Sequence, residues 1–243
     1  MATYASIIKG CTRTLEDFRM SKVIAVANTS GGSGKTTVAH AVAVACVEYG
    51  KKTLLVDLDP KGDLTFRLGR EGTRTSAADF LSGTKLTTNL TDTTKERFDF
   101  IAADSRLASA FEKDALNQFL TNLEQEYAVV ILDLSSSITP PLVQAIESAD
   151  LFLIPMKSTL HDLRGALQIK SLAGSVQSFA LQIGDGEQFA TEIEYIDCAI
   201  EASSEVESAQ SVDVSVLTRS KTSSVAENFR EATYSILEKL DLA

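Results

Sequence analysis

Residues 23–27 (Val-Ile-Ala-Val-Ala) are apolar with no polar alternation, the pattern of a short strand covered on both faces. Comparable runs recur at 52–57, 98–103, 127–132 and 151–155. Between them the apolar positions change to helical spacing. Val38, Ala41, Val42 and Ala45 share one face of a helix over 34–49, closed by Gly50. Phe111, Ala115, Phe119 and Leu123 share another over 110–126, and Pro140-Pro141 can open a third. Strands that alternate with helices and are apolar on both faces predict an α/β fold, a mostly parallel doubly wound sheet in three layers. Residues 70–96 are rich in Thr, Ser and Gly, with a short helix at 76–81. From 176 to 210 the periodicity weakens. A strand is expected at 192–200, a loop in the acidic, Ser-rich run that follows, a last strand at 212–217 and a helix over 224–240. Residues 1–19 have no place in this sheet, although 12–19 could form a short helix with Leu15 and Phe18 on one side. The expected organisation is an extension of unknown role at 1–19 and one domain at 20–243.

Composition narrows the class. The chain has 243 residues, 44% of them apolar, enough for one well-buried α/β domain. No apolar run approaches the roughly 18 residues that cross a bilayer, and the first residues lack an apolar signal core, so a cytoplasmic protein is expected. Cys11, Cys46 and Cys198 form no C-x-x-C pair, which predicts neither a disulfide framework nor a structural metal. A net charge of −10 excludes a chain that is basic all over, so any contact with nucleic acid must come from a local patch.

The chemistry concentrates at the ends of three apolar runs. After the first comes Ser-Gly-Gly-Ser-Gly-Lys-Thr-Thr at 30–37, and then a helix. Strand, glycine-rich turn, Lys-Thr and helix make a phosphate-binding loop, in which Gly31, Gly32 and Gly34 let backbone N–H groups crowd a polyphosphate and the helix N-terminus adds partial positive charge. Ser30, Ser33 and Thr37 complete the loop; Lys35 would reach the β- and γ-phosphates, and the Thr36 hydroxyl would ligate Mg2+. The match lacks the leading glycine of the motif, which is Thr29 here. The second run ends in Asp57-Leu-Asp59-Pro, at the sheet edge where ligands sit in open α/β folds. Following a phosphate loop by one helix, these carboxylates are candidates for positioning Mg2+ or an attacking water. The run at 127–132 ends in Asp133, a Walker B pattern whose carboxylate serves the Mg2+ site.

Taken together, the motifs at 30–37, 54–60 and 129–133, with Ser-Ala-Asp-Leu-Phe-Leu-Ile-Pro-Met at 148–156, resemble the ParA/MinD family of deviant Walker ATPases. The likeness covers about 22–172, with a weaker echo at 216–229. It implies a P-loop NTPase fold that binds ATP and Mg2+, dimerises face to face around two nucleotides and hydrolyses ATP when a partner protein stimulates it. By this match Asp57 would orient the attacking water, Lys35 and Thr36 would hold phosphate and Mg2+, and Asp133 would support the metal.

One departure carries information. The family has a lysine where this chain has Ser30, and that lysine reaches across the dimer to the other subunit's ATP. Its absence resembles the McdA-type ATPases that space carboxysomes over the nucleoid through a small cargo-bound adaptor; plasmid or chromosome partition is the alternative. In the helix after Pro155, Lys157, Arg164 and Lys170 are cations that could substitute. At 100° per residue His161, Arg164, Gln168 and Ser171 form a polar stripe, expected to be the solvated face. Lys170 falls in the arc of Leu163, Ala166 and Leu167, where an ammonium needs an anion or a route to water. It is either a snorkelling side chain or the replacement that contacts a partner's phosphates. Lys61 and Asp63 also depart from the Gln and Asn usual after Asp-x-Asp-Pro.

Rival classes fit less well. A membrane-associated relative would end in a basic amphipathic helix, whereas 227–241 sets Glu227, Glu231, Glu238 and Asp241 against Arg230 and Lys239. The cysteine spacing does not serve a cluster of the nitrogenase iron-protein kind. A metabolic P-loop enzyme such as a dethiobiotin-synthetase-like ligase remains open on fold grounds. For DNA, Arg219, Lys221 and Arg230 could contribute phosphate contacts on a dimer, with no module for sequence-specific readout. His40 and His161 are expected to be structural or surface residues.

Overall fold

A computed structural model describes residues 21–83, 92–109, 112–123 and 126–243. The extension at 1–19, with the short helix expected at 12–19 and Cys11, lies outside the described residues. The strands are β1 (Lys22–Val26), β2 (Thr53–Asp57), β3 (Asp92–Thr93), β4 (Asp99–Ile101), β5 (Val129–Asp133), β6 (Leu151–Met156), β7 (Gln177–Gln182) and β8 (Glu194–Tyr195). The helices are α1 (Lys35–Glu48), α2 (Asp63–Arg67), α3 (Ala77–Leu81), α4 (Ala115–Leu123), α5 (Pro140–Ser148), α6 (Leu160–Ala173), α7 (Ser204–Gln210), α8 (Val216–Arg219) and α9 (Ser224–Lys239). The sheet runs in the order β3-β4-β2-β5-β1-β6-β7-β8, parallel throughout except for the edge pair β3–β4. This is the three-layer, mostly parallel fold that the alternating pattern predicts.

Side-chain alternation along each strand splits the apolar residues between two cores. Ile24, Val26, Leu55, Ile131 and Leu153 pack under α1, α8 and α9, while Val23, Ala25, Leu54, Val130 and Phe152 pack under α3, α4, α5 and α6. Each inner strand is therefore apolar at consecutive positions because consecutive side chains enter different cores. Among the described residues no helix is long and apolar enough to cross a membrane.

Three local expectations need correction. The strand expected at 212–217 is absent: Ser215 caps α8, its hydroxyl accepting from Leu217 N. The alternating Val212, Val214 and Val216 mimic a strand, but Ser215 N donates to Glu96 Oε1 at 3.0 Å, a side chain distant in sequence, and not to a neighbouring strand. The acidic run expected to be a loop forms α7, whose N-cap Ser203 accepts from Glu205 N with Glu205 and Glu207 in the first turn. The strand expected at 192–200 is reduced to β8 and an isolated bridge between Ile183 and Ile200. Helix α4 is also shorter than the pattern over 110–126, part of which lies outside the described residues.

His40 is structural, as expected. Its Nε2 lies 2.5 Å from Glu96 Oε2, both side chains almost wholly buried, and its ring meets Phe98 edge-on. Glu96 also accepts from the Thr218 hydroxyl. One buried carboxylate thereby ties the helix of the phosphate loop to α8. These hydrogen bonds and the His40 charge hold the Glu96 carboxyl below its usual range against the effect of burial.

Candidate functional site

Parallel pairing brings the three motifs to one edge. Asp133 is the register partner of Asp57 on one side and of Val26 on the other, so the phosphate loop leaves β1 beside both carboxylates. The loop turns through left-handed backbone at Gly32 (φ 76°) and Gly34 (φ 99°), positions that a side chain would strain. Gly34 is also the N-cap of α1 and supplies no side-chain cap, which leaves the first-turn N–H groups of α1 for a ligand. Gly31 and Gly32 are exposed, Ser30 and Ser33 are buried, and Thr36 and Thr37 are half-buried.

Lys35 is folded back over this loop. Its Nζ donates to Ser30 O at 2.9 Å, and only 8% of the residue is exposed. Burial pulls its pKa down, while the charges of Asp133, Asp59 and Asp162 oppose that shift. An ammonium held in a desolvated place by a single carbonyl is prepared to exchange that carbonyl for phosphate oxygens.

The carboxylates differ sharply. Asp57 is fully buried, and both its oxygens are engaged: Oδ1 accepts from Asp59 N at 3.0 Å, and Oδ2 from Thr65 N at 2.9 Å and Thr65 Oγ1 at 2.8 Å. Burial pushes its pKa up to about 6 despite these bonds. Asp59 is half-buried, and its Oδ1 accepts from Lys61 N at 3.0 Å. Asp133 is 1% exposed, and neither of its oxygens meets a donor at hydrogen-bonding geometry among the described residues. Burial and the neighbouring Asp57 charge raise its pKa well above the usual range, with Thr36 and Lys35 near enough to moderate the shift. Two bare oxygens on a buried carboxylate beside a Thr hydroxyl and a lysine fit a site for a hydrated divalent cation.

Sequence reasoning misses two contributors. Arg67, at the end of α2, donates from Nη1 to Thr37 Oγ1 at 3.3 Å and lies in the field of Asp133. Ile183, just past β7, has its Cγ1 4.0 Å from where a Cβ on Gly34 would lie, so the end of β7 closes one side of the loop.

Helix α6 keeps its expected polar stripe at the surface, with His161, Arg164, Gln168 and Ser171 all exposed. Its buried positions are Asp162, Gly165, Ala166, Ile169 and Ala173. Within the exposed stripe, Gln168 also reaches the loop, its Oε1 accepting from Thr29 Oγ1 at 2.8 Å. Lys170 is half-buried near the other end of the helix, about 7.5 Å further along the axis than Gly165. At 100° per residue it is turned roughly 140° away from the direction in which Gly165 meets the loop. A Cβ on Gly165 would lie 2.1 Å from Asn28 Oδ1 and 2.8 Å from Ser30 N. Gly165→Ala is therefore expected to destabilise the protein by about 1–3 kcal/mol, the usual cost of overpacking, and to weaken nucleotide binding by pushing α6 off the loop. Chemical denaturation and a nucleotide titration would check both effects.

The basic trio is largely engaged. Arg230 donates to Glu48 Oε2 at 2.6 Å and to Lys221 O at 2.8 Å, and Arg219 donates to Ser208 Oγ at 3.0 Å. Lys221 is exposed.

A family model described as an AAA domain matches residues 21–182. The chain belongs to this family, within its ParA/MinD group of P-loop ATPases. It is 31% identical to the sporulation initiation inhibitor protein Soj of Bacillus subtilis, a match covering 65% of this chain and 67% of Soj. It is also 31% identical to the chromosome partitioning protein ParA of Caulobacter vibrioides, over 61% of this chain and 60% of that protein. Matches of this kind span about three-fifths to two-thirds of the curated relatives. Among solved structures, cobyrinic acid a,c-diamide synthase from Mycobacterium smegmatis with bound ADP and magnesium superposes with a TM-score of 0.76 at 25% identity, covering 91% of this chain and 96% of that one. The septum site-determining protein MinD of Pyrococcus horikoshii with Mg-ADP gives 0.77 at 18% identity, covering 91% and 98%. An ATP complex of Cyanothece McdA gives 0.77 at 18%, covering 89% and 96%. At that identity the MinD and McdA likenesses bear on the fold alone.

Proposed function

We propose that this ParA/MinD-type protein binds ATP with Mg2+, dimerises in that state and hydrolyses ATP on stimulation by a cargo-bound adaptor, so as to position a large cargo over the nucleoid. The observation that carries the reading is the pairing of a buried Lys35 on the loop with the donor-free oxygens of Asp133 beside Thr36. Lys35 and the first-turn N–H groups of α1 would hold the phosphates, and Thr36 and Asp133 would hold the cation's side of the site. Bound Mg2+ would neutralise phosphate charge during transfer. Asp57, expected from the motif to orient the attacking water and serve the metal, has its oxygens committed to Thr65 and Asp59. We therefore assign the water-orienting role to Asp59, which is half-exposed at the same edge and keeps its Oδ2 free of the Lys61 contact. Asp57 instead fixes α2.

Exposed apolar side chains at the same edge favour dimerisation. Phe66, Ile138 and Leu160 follow β2, β5 and β6 and are 67%, 47% and 76% exposed. The Ser30 departure favours carboxysome spacing as the cargo, and the 31% identity to partition proteins favours chromosome or plasmid partition as the second reading. DNA contact would rest on Arg219 and Lys221, since Glu48 neutralises Arg230.

The test is non-specific DNA binding titrated with salt, in ATP and in ADP, for wild type, Asp59→Ala and Asp57→Ala. Binding only in ATP, falling steeply with salt and persisting in Asp59→Ala, is the expected result. No binding in either nucleotide would turn the reading towards a metabolic P-loop enzyme.

A further inference from the structure

Three consecutive residues at the start of the phosphate loop are bonded to α6 or to the strand that leads into it. Asn28 Nδ2 donates to Pro155 O at 2.9 Å and to Asp162 O at 3.3 Å, and Asn28 Oδ1 accepts from Ser30 N at 2.8 Å. Thr29 bonds Gln168. The Ser30 hydroxyl donates to Asp162 Oδ1, and Asp162 Oδ2 accepts from Lys157 N at 2.9 Å. Asn28 and Ser30 are fully buried, and Asp162 is 4% exposed.

We propose that Asp162 is a positioning residue for nucleotide binding. Its carboxylate clamps the outer limb of the phosphate loop, through Ser30, onto the first turn of α6. The inference rests on reading the loop as the nucleotide site, and it gives that site a determinant outside every motif of the sequence.

The chemistry of the pair argues for this role over simple helix capping. Thr159 is already the N-cap of α6 and accepts from Asp162 N, so the end of the helix does not need the Asp162 side chain. A buried carboxylate is costly unless its oxygens are satisfied, and among the described residues no cation lies within ion-pairing distance of this one. Its compensation is the Ser30 O–H and the Lys157 N–H. Ser30 is in turn the residue whose carbonyl holds Lys35 Nζ, so an unbroken line of hydrogen bonds runs from α6 through Ser30 to the phosphate-binding lysine. The Asp162 charge also favours the Lys35 ammonium, together with Asp133 and Asp59. Close approach of α6 is possible because residue 165 is glycine. A loop anchored at Asn28, Thr29 and Ser30 offers its N–H groups in one arrangement, and less ordering is left for the ligand to drive.

The experiment uses the full chain and ATP with Mg2+. Affinity and steady-state hydrolysis are measured for wild type, Ser30→Ala, Asp162→Ala, the double variant and Asp162→Asn, with a thermal melt of each. Ser30→Ala and Asp162→Ala should each raise Kd and KM for ATP about tenfold with kcat unchanged. The double variant should be no worse than either single one, because the two residues act as a unit. Asp162→Asn should lie between wild type and Asp162→Ala, since its amide oxygen can still accept from Ser30 while its NH2 opposes the Lys157 N–H. If Asp162→Ala does not fold, Ser30→Ala and Asp162→Asn decide the matter. ATP binding by Ser30→Ala as tight as wild type, or independent multiplying effects in the double variant, would overturn the clamp while leaving the nucleotide site standing. A wild-type chain with no affinity for ATP would overturn both.

Discussion

Lys35→Ala is expected to weaken ATP binding by about 100-fold, the equivalent of roughly 2.7 kcal/mol, as loss of a buried charge-assisted contact to phosphate implies. The magnitude follows from what remains when the ammonium is removed. Asp133, Asp59 and Asp162 all act on Lys35, so its removal leaves carboxylates near an incoming polyphosphate, with Lys61 and Arg67 as cations that remain at that edge. The first-turn N–H groups of α1 still favour an anion, but they lack the point charge that Lys35 would bring to the phosphates. Lys35→Arg should recover little of the loss, because Lys35 is buried against Ser30 O and a guanidinium needs room for a planar fork. Isothermal titration with ATP and Mg2+, run beside a thermal melt, checks this; affinity within threefold of wild type would remove Lys35 from the site.

Much of this site is readable from the chain because the phosphate loop and both strand-end carboxylates are local motifs on doubly covered strands. Consecutive apolar residues mark β1, β2 and β5, and parallel pairing then brings Lys35, Asp57 and Asp133 to one edge. The roles within the edge are less legible. Asp57 and Asp59 are equivalent in sequence, and only the hydrogen bonds from Thr65 show that Asp57 is committed to the fold. The solvated stripe of α6 is legible, but the face that meets the loop is not. A helical wheel weighs apolarity, whereas the face that meets the loop is set by a missing side chain at Gly165 and by a buried Asp162 whose partners lie outside the helix. At α8 the alternating valines outweigh a Ser cap, because the partner that satisfies Ser215 N, Glu96, is distant in sequence. The α7 signal was present in Ser203 followed by Glu205 and Glu207, but a run of acids reads equally well as a solvated loop.

Asp133→Asn should lower stimulated ATP hydrolysis by about 100-fold and at the same time stabilise the nucleotide-free protein at pH 7.5 by about 1–3 kcal/mol, the scale of the cost of ionising a buried carboxylate beside a like charge. The two effects have one origin. Among the described residues Asp133 is buried with no donor at hydrogen-bonding geometry on either oxygen, with Thr36 close enough to moderate its charge, and it is paired in register with Asp57, so ionising it costs desolvation and like-charge repulsion. A site of this kind is tolerable because nucleotide and cation discharge it, and a neutral amide removes both the cost and the function. The pH dependence separates this account from ordinary repacking. Asp57 is raised from 3.8 to about 6 and Asp133 is raised as well, so the folded state holds protons that the unfolded chain has released. Stability without nucleotide should therefore fall as pH rises from about 4 through 6 and beyond. Glu96, Asp79 and Asp104 are shifted downwards, so their contributions are lost only as pH falls below the ordinary carboxylate range, outside that window. In Asp133→Asn the decline should be shallower, because the repulsion on Asp57 is gone along with the Asp133 titration. Nucleotide and Mg2+ should raise the melting temperature of wild type at pH 7.5 far more than that of the variant. A variant less stable than wild type without nucleotide at pH 7.5 would mean that Asp133 serves the fold, not the ligand.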